Sequence, residues 1–147
     1  MSDDNITLGE IYGGDKEWYK KRKTLFKNKD PETYKLIGLA MEVYNNIGQG
    51  FLEAVYQEAF EIELQENEID YEREKKLEIS YKKKILHTFY KADFVCMNKI
   101  IIELKSIKKI TNIEEVQVIN YLKASGFNKG LIFNFGAPSL EFKRYIN

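Results

Sequence analysis

Three residues near the middle of the chain carry the types and spacing that could do chemistry: Asp93, Glu103 and Lys105. They lie in Ala92-Asp93-Phe94-Val95-Cys96-Met97-Asn98-Lys99-Ile100-Ile101-Ile102-Glu103-Leu104-Lys105, where two β-branched-rich runs flank an Asn98-Lys99 turn signal. Such a pattern predicts a β-hairpin. In its second strand Glu103 and Lys105 are two apart and share a face, while Ile102 and Leu104 point to the other, into a core. Carboxylates and an ammonium inside so apolar a strand are costly unless paired or used. Two carboxylates can hold a hard divalent cation through oxygen, and a nearby lysine can orient a water or offset developing charge.

That chemistry needs Asp93 on the same face as Glu103 and Lys105. A strict two-residue turn at Asn98-Lys99 would set Asp93 opposite Leu104, on the wrong face. The expectation is therefore a three-residue turn or a β-bulge.

The elements that must position these residues follow from periodicity. Asp30-Pro31-Glu32 reads as a helix start. Leu36, Ile37, Leu39, Ala40, Val43 and Ile47 continue it with helical spacing up to Gly48. A second amphipathic helix is predicted over 51–68, with Glu53 in its first turn and Tyr56 one turn on along the same face. On spacing alone Glu53 is an ordinary dipole-complementing acid. Weak alternation predicts a strand over 71–80, a polar turn over 81–84, and a longer strand over 85–97 with His87 as a surface or packing residue. Thr111-Asn112-Ile113-Glu114 is a capping box opening a helix that ends at Gly126, with Gln117 and Tyr121 on one stripe. A short buried strand over 131–135 and a final edge strand or short helix over 140–146 complete an α/β order, ααβββαβ(β), with helices packed on a mixed sheet.

Bulk composition removes other classes. The 147 residues suit one domain, 31–147, preceded by a polar arm, 1–30. Equal numbers of Lys+Arg and Asp+Glu, 23 each, argue against coating nucleic acid by bulk charge. The arm nonetheless carries a local basic stretch between Lys16 and Lys29 with Trp18, Tyr19 and Phe26 interleaved. It reads either as a phosphate-contacting arm or as a solvated amphipathic helix. One cysteine, Cys96, excludes an internal disulfide and multi-cysteine metal sites, and one histidine, His87, excludes a histidine metal centre or a Ser-His-Asp triad. With no membrane-length apolar run and no signal-peptide core, the expectation is a cytoplasmic protein with no membrane partner.

Taken together, Asp93…Glu103-x-Lys105 after a helical Glu53 resembles the core of the PD-(D/E)XK nuclease superfamily, with its restriction-endonuclease-like fold. Gly50-Phe51-Leu52-Glu53-Ala54-Val55-Tyr56 spells G-x-x-E-x-x-Y, and so resembles the small GxxExxY family within it. Gln117-Val118-Ile119-Asn120-Tyr121 is similar to the Q-x-x-x-Y helix motif of RecB-like nuclease domains, and Leu131 to Gly136 to the family's closing strand. The likeness covers about 34–145. It departs at Tyr44, where the family usually has histidine, at Gln49, where it has proline, and at Lys83, where it has a turn glycine.

What the resemblance implies is a phosphodiester hydrolase acting on DNA or RNA. Asp93 and Glu103 would bind Mg²⁺ or Mn²⁺ with the Leu104 carbonyl, and Glu53 would approach from its helix. Lys105 would position the attacking water or stabilise transition-state charge, with Gln117 and Tyr121 orienting it or touching the phosphate backbone. A homodimer is compatible with so small a unit, although no residue specifies one. Two other readings stand beside it: a nuclease-fold module that binds nucleic acid or a protein without turnover, and a purely structural Asp93–Glu103–Lys105 ion-pair network.

Overall fold

The computed structural model describes residues 10–11 and 30–146. In chain order it contains β1 (Glu10–Ile11), α1 (Pro31–Ile47), α2 (Glu53–Glu66), β2 (Tyr71–Tyr81), β3 (Lys84–Cys96), β4 (Ile100–Lys105), α3 (Asn112–Ser125), β5 (Lys129–Asn134) and β6 (Glu141–Ile146). The strands form one sheet in the order β1-β6-β5-β4-β3-β2. Among the described strands only β4 and β5 run parallel, and α3 supplies the crossover that a parallel pair requires. The basic stretch between Lys16 and Lys29 lies outside the described residues.

Both faces of the sheet are covered. On one, α1 and α2 bring Leu36, Ile37, Tyr56, Phe60 and Leu64 onto Phe94, Ile102, Leu104 and Phe133. On the other, Val118, Tyr121 and Leu122 of α3 pack on Leu77, Ala92, Ile101 and Ile132. Ile102 and Leu104 thus enter a core as expected, and the face of Glu103 is buried as well.

Local chemistry explains the helix ends. Asp30 caps α1, its carboxylate accepting from the Thr33 backbone N–H at 3.2 Å and the Thr33 hydroxyl at 2.7 Å. The capping box of α3 forms as read, with Glu114 accepting from the Thr111 N–H at 2.7 Å. Gly126 closes that helix at φ +76°.

Differences from the sequence reading are local. The second helix begins at Glu53, because Gly50 at φ +106° belongs to the preceding loop. The turn between β2 and β3 shrinks to Lys82-Lys83, both at positive φ. β6 is a strand lying inside the sheet, since β1 pairs along its outer side through Glu10↔Arg144 and Ile11↔Lys143. β1 itself had no periodic signal at two residues. Among the described residues no helix is long and apolar enough to cross a membrane.

Candidate active site

Register decides whether Asp93 and Glu103 meet. β3 and β4 pair as Cys96↔Ile100, Val95↔Ile101 and Phe94↔Ile102, so Met97, Asn98 and Lys99 form a three-residue turn, one of the two arrangements that the shared-face argument allowed. The next step along the ladder sets Asp93 against Glu103. There the backbone pairing gives way to side chains: the Leu104 N–H donates to Asp93 Oδ2 at 2.8 Å, and the Asp93 N–H donates to Glu103 Oε1 at 3.0 Å. Each carboxylate satisfies a main-chain donor that the ladder no longer serves.

The ladder fails there because two strands change face together. Tyr71 packs on Phe94 on the α1/α2 side, yet Leu77, an even number of residues on, packs on the α3 side. Ala92 and Phe94 of β3 likewise fall into opposite layers. Uninterrupted alternation would keep each pair on one face. The change occurs at Glu74, which sits at φ +53° directly across from Asp93. Pairing on either side, Arg73↔Phe94 and Lys75↔Ala92, keeps the same register, so both strands twist without an inserted residue. Beyond this kink β3 leaves β4, and the carboxylates sit in the fork.

The fork is electrically unbalanced. Glu103 is 3% exposed, and burial together with the negative charge of Asp93 pushes its carboxyl up to about 8. Burial also pushes half-buried Asp93 upward, against the pull of the Leu104 N–H and the charge of Lys105; Glu74 adds to the rise. Half-buried Lys105 makes no ion pair within 4.0 Å among the described residues. A tight structural Asp93–Glu103–Lys105 ion-pair network is therefore not what holds the carboxylates; backbone N–H groups do.

α3 walls the fork. Burial and the charge of Glu103 push the Tyr121 phenol up to about 12, its hydroxyl accepts from Gln117 Nε2 at 3.0 Å, and its ring lies 5.1 Å from that of Tyr90. Gln117 is bonded to Tyr121 here. Leu104 has its side chain in the α1/α2 core and its N–H on Asp93.

Glu53 stands apart. It is exposed and lines an open groove of about 510 Å³ with Phe51, Ser106, Ile107, Lys108 and Gly136, beyond the end of β4. Among the described residues no three His, Cys, Asp or Glu side chains gather at metal-holding distance. Its motif partner Tyr56 is turned inward instead: fully buried, it stacks on Phe135 at 4.3 Å and donates to the Gly48 carbonyl at 2.6 Å. In G-x-x-E-x-x-Y the tyrosine thus pins the loop that delivers the glutamate. Ser106 Oγ donates to the Phe51 carbonyl at 2.7 Å and ties that loop to the end of β4. The groove's far wall needs Gly136, because a Cβ there would stand 2.3 Å from the Ile107 carbonyl oxygen.

The model of the PD-(D/E)XK nuclease superfamily matches residues 30–145. The chain belongs to that superfamily. Its α/β architecture is restriction-endonuclease-like, and it aligns with the crystal structure of the protein SSO0001 at a TM-score of 0.52 and 19% identity. That alignment covers 89% of this chain and 59% of the other, and the likeness is one of fold. No curated protein matches the sequence.

Proposed function

We propose that this superfamily member is a divalent-metal-dependent nuclease of the GxxExxY kind, hydrolysing phosphodiester bonds of nucleic acid at the β3–β4 fork. The observation that carries the reading is the pair of half-buried Asp93 and buried Glu103, two oxygen-donor side chains in contact with too little positive charge beside them. That donor set suits Mg²⁺ or Mn²⁺, with Asp93, Glu103 and the Leu104 carbonyl as ligands and Glu53 approaching from the start of its helix. Such an ion, when bound, polarises the phosphate and lowers the pKa of a water. Lys105, two residues beyond Glu103 on the same face, holds the attacking water or the charge that gathers on the phosphoryl oxygens. Tyr121 keeps its proton far above neutrality and so donates a hydrogen bond rather than acting as a base, its hydroxyl steadied by the bond it accepts from Gln117. These three position groups around the phosphorus while the bond to the leaving oxygen breaks.

Labelled single- and double-stranded DNA and RNA, incubated with Mg²⁺, Mn²⁺ or chelator, test this directly. Cleavage is expected with metal alone, and Lys105→Ala should lower it on the order of 10²- to 10³-fold, as for loss of one charge-stabilising donor. Cation affinity should rise with pH toward about 8, since Glu103 must shed its proton to act as a ligand. A second reading, binding without turnover, draws on the exposed place of Glu53 away from the pair. Nucleic-acid binding indifferent to Lys105→Ala and to chelator, with no cleavage of any substrate, would select it.

A further inference from the structure

Beyond the kink, β2 and β3 leave the sheet as a two-stranded ribbon. β3 pairs with β4 only through residues 94–96, so its stretch from Lys84 to Ala92 has β2 as its ladder partner. Leu77, paired with Tyr90, is the last buried position of β2, and every residue over 78–89 is exposed or half-buried. At about 3.3 Å per residue, the ribbon reaches roughly 17 Å from that pair to its tip.

Charge on this ribbon is concentrated and two-sided. Residues 75–91 contain six lysines and one acid, Glu78, in a chain whose formal charge is zero. Lys75 occupies the α3-side face, Lys76 and Lys91 the opposite face, and Lys82, Lys83 and Lys84 the tip. Lys75 pairs with Glu72 at 2.7 Å, while Lys76, Lys82, Lys83, Lys84 and Lys91 have no ion pair among the described residues. Lys76 Nζ lies 4.6 Å from the Phe89 ring centroid and Lys82 Nζ 5.5 Å from that of Tyr81. Isolated ribbons are marginal in water, and one exposing Tyr81, Ile85, Leu86 and Phe89 is built to be covered.

We infer that this ribbon enters the major groove of a B-form DNA duplex and delivers the phosphodiester backbone to the fork at its base. The inference rests on the nuclease reading and adds its substrate. A two-stranded ribbon fits a B-form major groove about 12 Å wide, whereas the A-form major groove is too deep and narrow for side chains. Cations on both faces serve both phosphate walls of such a groove; a single strand would engage one face. Asp93 lies on β3 itself, where the ribbon meets the sheet, so a backbone tracked along the ribbon leads to the carboxylates.

The test is fluorescence anisotropy of the full chain in chelator, over a salt series. The probes are a labelled 20-base-pair DNA duplex, the matching RNA duplex and the single DNA strand. Two variants are compared with the parent, Lys76→Gln with Lys91→Gln and Lys82→Asn with Lys83→Gly. The second supplies the Asn-Gly pair that positive φ at both turn positions favours, so it keeps the fold. The parent should prefer the DNA duplex. Each variant should bind it at least tenfold more weakly and flatten the log–log salt slope by about 1.8, from two lost phosphate contacts. Unchanged duplex affinity and slope in both variants, with metal-dependent cleavage intact, would overturn the ribbon's role and leave the nuclease standing. Equal binding of RNA duplex or single strand would overturn the B-form commitment. Variants that instead dissolve a dimer in sedimentation, with DNA binding unchanged, would assign the ribbon to a second copy. A parent that neither binds nor cleaves any nucleic acid would remove the nuclease reading itself.

Discussion

Asp30 and Glu103 are carboxylates buried almost equally, 4% and 3% exposed, but their surroundings differ in sign. Asp30 accepts from Thr33, from Arg144 Nε at 3.0 Å and also from Arg144 Nη2, and Lys129 Nζ lies 3.1 Å away. Burial alone would raise its carboxyl, yet those hydrogen bonds and the Arg144 charge hold it below its ordinary 3.8. Glu103 has another acid as its neighbour and is raised to about 8. The protein completes the first site with its own cations, which makes it a clamp from the start of α1 to β5 and β6. It leaves the second short of positive charge, which is the condition that the proposed cation site requires.

The comparison breaks most visibly by deletion. Asp30→Ala leaves the buried Arg144 guanidinium without that carboxylate and also removes the α1 cap. Urea denaturation at pH 7 should show a loss of about 3–5 kcal/mol. Glu103→Gln removes a burdened carboxyl and should leave cation-free stability at pH 8 unchanged or higher. A loss below about 1 kcal/mol for Asp30→Ala would mean that the clamp holds nothing.

pH sharpens the same contrast, with opposite signs. Glu103 keeps its proton in the fold up to about 8 but sheds it near its ordinary 4.5 when unfolded. The folded state then binds more protons between those values, so stability falls as pH rises through that window, by at most about 1.4 kcal/mol per pH unit, and levels above it. Melting curves of the metal-free protein should show this slope, Glu103→Gln should abolish it, and Mg²⁺ should offset it near pH 8. Asp30, whose folded value is lowered, contributes stability that is present above 3.8 and lost as pH falls through its folded value. A flat profile from pH 5 to 8 in the parent would contradict the placement of Glu103.

How much of this could be read from sequence follows from the range of each interaction. The shared face of Asp93 and Glu103 was legible because a hairpin is local: a spacing of ten residues and a shared-face requirement sufficed to predict a three-residue turn or a bulge, of which the turn forms. The α3 capping box was legible for the same reason. The kink at Glu74 was not. Tyr71, Leu77 and Ile79 have one parity and read as one face, and where both faces of a sheet are buried, alternation cannot report a switch between them. Glu74 meets Asp93 only through the β2–β3 register, which itself shifts between Glu78 and Ser80. The Asp30 clamp was invisible as well. Asp30 before Pro31 signals a helix start, while its partner Arg144 stands 114 residues away in what reads as an edge strand or short helix.

The finest adjustment to the comparison is Lys129, the outer cation of the clamp. Its side chain is 29% exposed where that of Asp30 is 5% exposed, so solvent screens part of its charge. Lys129→Met keeps most of the stem and removes the ammonium, while Thr33 and Arg144 still donate to the carboxylate. The expected cost at pH 7 is under about 1 kcal/mol, the range of a partly exposed ion pair. Its signature lies in the acid limb instead. With one cation fewer, the folded value of Asp30 moves back toward 3.8, so acid unfolding should set in at higher pH than in the parent. The stability slope assigned to Glu103 between about 4.5 and 8 should remain as it was, since Lys129 is not among the charges that set it. An acid limb that stays in place would show that Arg144 and Thr33 alone hold Asp30 ionised, with Lys129 a bystander at the surface.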